Sequence, residues 1–103
     1  MTTPRSVMQE VAPQLAKITA DVLFGDVWER PGLSKRDRSL ITVAMLTAMY
    51  RSGQLAGHVN RALDNGVTTE EIGEVITHVA FYAGWPTAAN AARIIKEVYD
   101  ERQ

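Results

Sequence analysis

Apolar residues recur at spacings of three and four along almost the whole chain, and no stretch alternates with the period of two that a half-buried strand needs. Val7, Val11, Leu15, Ile18 and Val22 predict a first helix over about residues 6–23, kinked or split at Pro13, where proline removes a helix hydrogen bond. Pro31-Gly32 separates this segment from the remaining two thirds of the chain. Ser34 suits an N-cap and Asp37 falls at N3, so a second helix is expected from Ser34 to about Tyr50. A third, about 54–64, places Leu55, Val59, Ala62 and Leu63 on one face and ends at Asn65-Gly66. Thr68-Thr-Glu-Glu71 reads as a capping box opening a fourth, which carries Ile72, Val75, Ile76, Val79 and Ala83 on its stripe and Phe81 opposite. A last helix starts around Pro86 and runs to about Glu101, with Ala88, Ala91, Ala92, Ile95 and Val98 or Tyr99 facing inward. The pattern predicts one domain over residues 1–103, an all-α bundle of five to six helices.

The second helix breaks the amphipathic rule. Over Leu40–Tyr50, Met45 and Met49 point away from Leu40 and Ala44, and a helix apolar all round is normally surrounded. In a chain of 103 residues, which buries roughly 60–70% of its unfolded surface, the missing cover points to a homo-oligomer. The same run is eleven residues long, well short of the roughly 20 that cross a bilayer. With no apolar core in the Met1–Arg5 leader, a soluble cytoplasmic protein is expected, with no membrane partner. Eleven Lys and Arg against twelve Asp and Glu argue against nucleic-acid binding. The absence of cysteine excludes disulfides, thiol redox chemistry and Cys-ligated metals.

Few residues are left to carry chemistry. His58 lies at the edge of the third helix's apolar stripe and reads either as a core-edge histidine or as a catalytic group turned into a cleft. His78 shares roughly one side of its helix with Glu71, Glu74 and Tyr82; it forms either a carboxylate–imidazole surface pair or an oriented catalytic histidine. Lys35, Arg36 and Arg38 crowd the positive end of a helix dipole, where cations are unfavourable, so an anion site centred on Arg38 competes with a solvated cluster. Tyr82 and Trp85 are candidate walls of a substrate site as well as candidate interface residues. No histidine–carboxylate pair repeats on two helices, and no metal site is expected.

Three segments resemble the carboxymuconolactone decarboxylase family: Gly32-Leu-Ser-Lys-Arg-Asp-Arg-Ser-Leu-Ile-Thr-Val-Ala-Met-Leu46, His58-Val-Asn-Arg-Ala-Leu-Asp-Asn-Gly-Val-Thr-Thr-Glu-Glu-Ile72 and Glu74-Val-Ile-Thr-His-Val-Ala-Phe-Tyr-Ala-Gly-Trp-Pro86. Phe24–Trp28 and Arg30–Leu33 extend the resemblance, which covers about residues 22–100. It implies an alkyl-hydroperoxidase-D-like (AhpD-like) helical fold assembled as a trimer or hexamer. The family's peroxidase-like branch carries a Cys-x-x-Cys pair at the positions of Arg51 and Gln54 and a Glu at Ser39, so that chemistry is excluded here. Arg38-Ser39-Leu40 and the retained His58 resemble the decarboxylase branch instead.

That branch implies a cofactor-free carboxy-lyase of aromatic-compound catabolism, with 4-carboxymuconolactone as the family's named substrate. On this resemblance His58 is the principal proton donor or oxyanion partner, His78 and Tyr82 are secondary groups, Arg38 clamps a substrate carboxylate and Trp85 lines the site. The alternatives are the same fold acting on a different small acid or lactone, and a non-catalytic binding or assembly subunit.

Overall fold

The computed structural model describes residues 6–103, among which are six α-helices and no strand. The expectation drawn from Met1–Arg5 lies outside the described residues. The chain divides into two compact units, one ending at Ser34 and one running from Lys35 to Gln103.

In the first unit, α1 (Val7–Val11) is closed by a capping box: Ser6 Oγ accepts from the Gln9 backbone N–H, and the Gln9 side chain accepts from the Ser6 N–H. Pro13 splits the expected helix. Ala12 leaves the helical region at φ −141° and ψ 71°, and α2 (Pro13–Ile18) restarts at the proline, where the missing N–H costs nothing. The chain then widens into a π-turn over Thr19–Phe24 and a 3-10 turn over Val27–Glu29 that carries the buried Trp28 against Phe24. A Cβ on Gly25 would sit 2.6 Å from the Asp21 carbonyl oxygen, so only glycine fits this corner.

The second unit holds α3 (Lys35–Ala48), α4 (Ser52–Asp64), α5 (Thr69–Ala83) and α6 (Trp85–Glu101). α3 and α6 pack on each other and on both remaining helices, so they form the shared centre, with α4 on one flank and α5 on the other. Val43, Leu55, Val59, Ala62, Ile72, Ala91, Ile94, Ile95 and Val98 fill the core between them. On α6 the inward stripe is Ala91–Ile94–Ile95–Val98; Ala92 is exposed rather than inward, because it lies about 100° from the centre of that stripe.

Polar ties fix how the helices meet. Asn65, just past α4, donates to the buried Ser39 Oγ at 3.0 Å, and with the short connection between the helices this makes α3 and α4 an antiparallel hairpin. Asn90 of α6 donates to Ser52 at the start of α4 (2.9 Å), and Arg102 reaches Asn60 and Asp64 near its end (2.9 and 3.1 Å). Arg36 forms an ion pair with Glu71, so α3 and α5 start side by side and run the same way. The Thr68–Glu71 capping box is present as the sequence indicates.

α3 stops before the expected Tyr50. The Arg51 N–H donates to the Leu46 carbonyl (2.9 Å) and the Tyr50 N–H to the Thr47 carbonyl (3.2 Å), the hydrogen-bond pattern of a Schellman end. Tyr50 occupies its left-handed position at φ 57°, a place normally given to glycine.

Candidate functional site

The two sides of α4 can be told apart by their ties. Ser52 and Asn60 bond to α6, whereas Asn65 bonds to α3. His58 lies on the Asn65 side, two turns earlier, so the candidate histidine faces the α3 flank of the hairpin. It is half-buried, and its Nδ1 is shielded from solvent. Burial, and then the nearby positive charge of Arg61, hold its pKa below the usual histidine value. Both effects favour the neutral imidazole over the imidazolium.

Around α3, at about 100° per residue, the order is Ser39, Thr42, Arg38, then Met45 and Ile41, then Ala44. Ser39 marks the α4 side. Arg38 is thus next to that side; it is half-buried, and its Nε is shielded from water. Its backbone carbonyl accepts from Thr42 Oγ1 at 2.8 Å, which fixes the turn that carries it. Arg38 and the His58–Arg61 pair thus belong to the two helices of one hairpin. Arg61 has no chemical role in the sequence reading; the available signal is its place one turn after His58, on the same side of a helix.

The other candidates lie elsewhere. His78 and Tyr82 are exposed on α5, with ring centroids 4.9 Å apart. His78 borders a shallow groove of about 350 Å³ with Ala44, Glu74, Val75 and Val79, on the opposite side of α3 from Ser39. No hydrogen bond or ion pair joins Glu74 to His78 among the described residues, and Glu71 is engaged by Arg36. Trp85 is 64% exposed and meets Phe81 edge-on at 5.4 Å. Arg36 is likewise committed to Glu71 and Asp37. A groove of about 410 Å³ between α5 and α6, walled by Ile72, Gly73, Ile76, Ala92, Ile95 and Tyr99, contains none of the candidate residues. Among the described residues no three His, Asp or Glu side chains gather as a metal site would need, and no helix is long and apolar enough to cross a membrane.

A model of the carboxymuconolactone decarboxylase family matches residues 13–97, a stretch that runs through both units. The chain belongs to that family. Over 78 residues it is 41% identical to the 4-carboxymuconolactone decarboxylase of Acinetobacter baylyi, covering 76% of this chain and 58% of the relative. The nitrosuccinic acid decarboxylase npaB of Metarhizium robertsii is 35% identical over 78 residues, covering 76% of this chain and 54% of that one. An uncharacterized 15.0 kDa protein from the nqo9–nqo10 intergenic region of Paracoccus denitrificans is 30% identical over 96 residues, covering 91% and 72%. The chain thus spans a little over half the length of the two decarboxylases it matches. The sequence resemblance and the all-helical fold agree with this membership in the carboxymuconolactone decarboxylase family.

Proposed function

We propose that the protein is a cofactor-free decarboxylase of small acids or lactones that carry two carboxylates, with 4-carboxymuconolactone as the first substrate to try. The observation that supports this reading is the α3–α4 hairpin, in which half-buried His58 lies on the α3 side of α4, Arg61 follows it by one turn, and α3 carries the half-buried Arg38. Two guanidinium groups suit two carboxylates, and a neutral imidazole on the same hairpin supplies a hydrogen-bond donor without competing for those anions. The names of the two matched decarboxylases point the same way.

In 4-carboxymuconolactone the departing carboxylate is attached γ to the lactone carbonyl through a C=C bond. When the C–C bond breaks, CO2 leaves and the electron pair moves into that carbonyl as a dienolate. A proton then adds at the α-carbon to give the enol-lactone. The substrate contains its own electron sink. Arg38 holds the acetate carboxylate that is retained, Arg61 attracts the second anion, and the His58 N–H donates to the oxygen on which charge develops. One such donor is worth about 3–4 kcal/mol, or 10²–10³ in kcat. His78, with Tyr82 against its ring, returns the proton to carbon. Trp85 shields the site. On this reading the enzyme works in the cytoplasm, in the breakdown of aromatic compounds, as a homo-oligomer (trimer or hexamer).

The test is CO2 release from 4-carboxymuconolactone by the wild type, His58→Ala and Arg38→Met. The reading expects release that falls about 100-fold or more in His58→Ala and a raised KM in Arg38→Met. Equal rates in wild type and His58→Ala would refute it.

A further inference from the structure

The proposed residues do not meet within one chain. Arg38 borders the α4 side of α3, whereas His78 borders a groove on the other side with Ala44, and the exposed Met45 and Ile41 lie between them. His78 and Tyr82 face open water, and Tyr82 is 82% exposed. A proton carrier placed in this way cannot work in a site from which water is excluded.

The surface that separates them is also the least suited to water. Ile41 and Met45 of α3 and Met49 just past its end are 46%, 51% and 58% exposed, at i, i+4 and i+8. Because α3 and α5 run the same way, the stripe leads toward the end of α5 and the start of α6, where Phe81, Tyr82 and Trp85 are 74%, 82% and 64% exposed. At about 150–250 Å² per aromatic side chain, those three alone present roughly 330–550 Å². The α3 stripe carries the patch toward the roughly 800 Å² per partner of a stable interface, and beyond what a monomer commonly leaves bare.

We propose that a second copy of this chain covers the α3 stripe, and that its α5 end brings His78 and Tyr82 to the Arg38–His58–Arg61 edge, so that each site is built from two chains. The inference rests on the roles given to His58 and His78 above. A self-complementary two-fold contact, of the kind a hexamer contains and a trimer does not, is what this patch offers, because the aromatic end of α5 in one copy meets the aliphatic stripe of α3 in the other, and the reverse. Arg38 is adjacent to Met45 around α3, so a group seated on the stripe lies beside the guanidinium. The two histidines then approach one substrate from different chains: His58 donates to the carbonyl oxygen, and the partner copy delivers a proton to the α-carbon.

The experiment is complementation. His58→Ala and His78→Ala chains carrying different affinity tags are co-expressed, and the assemblies holding both tags are isolated and assayed for CO2 release from 4-carboxymuconolactone. Each variant alone is expected to lose at least about 100-fold. The mixed assembly is expected to recover up to about half the wild-type rate, since an isologous pair then contains one intact site and one doubly broken site. A mixed assembly as inactive as its parents would assign both histidines to one chain and overturn the shared site, leaving the decarboxylase reading intact. Single variants with wild-type rates would overturn both. Failure to isolate any doubly tagged assembly would overturn the shared site as well. Met45→Asn gives an independent check, because it makes the stripe polar without placing a charge beside Arg38. It should yield a helical monomer with activity down at least about 100-fold, whereas a fully active monomer would contradict the proposal.

Discussion

Tyr50 offers a test in which the sign of the effect carries the information. It sits at the left-handed position that ends α3, at φ 57°, with the Arg51 and Tyr50 N–H groups closing back on Leu46 and Thr47. A residue with a Cβ costs about 1–2 kcal/mol in that conformation. Glycine avoids this cost but loses about 0.5–1 kcal/mol through its freer unfolded chain. Replacing Tyr50 by Gly or by Ala removes the same side-chain contacts, so the difference between the two variants isolates the backbone. Tyr50→Gly is expected to be more stable than Tyr50→Ala by about 0.5–1 kcal/mol. The control is Gly57, exposed in the middle of α4, where a Cβ would meet nothing within 4 Å and Ala should win by about 0.8–1 kcal/mol. Urea unfolding followed by circular dichroism at one protein concentration measures both differences; the fixed concentration keeps assembly from contributing. Tyr50→Ala as stable as Tyr50→Gly would refute the Schellman assignment, and with it the corner that sets the α3–α4 hairpin.

The same hairpin supplies two more expected outcomes. Asn65→Ala strips the donor from the buried Ser39 hydroxyl and should cost about 1–3 kcal/mol, while the Ser39→Ala, Asn65→Ala double variant should lose less than the sum of the single effects in urea titrations. His58 has a folded pKa below its unfolded value near 6.5, so its contribution to stability is fully present above pH 6.5 and is lost as pH falls through the folded value. Wild type should therefore lose stability relative to His58→Gln between pH 6.5 and the folded pKa, as followed by denaturant midpoints across pH; parallel curves would contradict the burial of the imidazole.

Much of the fold is legible in the sequence because period and punctuation agree. The Thr68–Glu71 box, the Asn65-Gly66 stop and the Pro13 break each have a local cause, and each appears where the residues indicate it. The apolar excess of α3 is equally readable, since Met45 and Met49 stand exposed in the single chain. Other features are not local. Tyr50 matches the apolar period and gives no sign of a left-handed backbone; only the path into α4 demands it. Ala92 reads as inward because alanine fits any face, while the neighbouring Ile94 decides the stripe by size. At the site, spacing along one helix groups His78 with Glu74 and Tyr82, but it does not reveal which side of α3 each helix occupies. That separation depends on the Asn65–Ser39 and Arg36–Glu71 ties, which join residues far apart in the chain. Arg61 escapes a reading of the sequence for the same reason: its effect on His58 comes from the burial of the imidazole as well as from the spacing.

The most direct test of the account is the pH dependence of kcat/KM for 4-carboxymuconolactone in wild type and His58→Gln, which keeps a neutral N–H donor that does not titrate. Taking the ratio of the two removes every other titrating group. If neutral His58 is the working oxyanion donor, the ratio is level above pH 6.5 and falls about tenfold per pH unit below the lowered pKa of His58. A ratio that rises as pH falls would make the imidazolium the active form and would contradict the assignment.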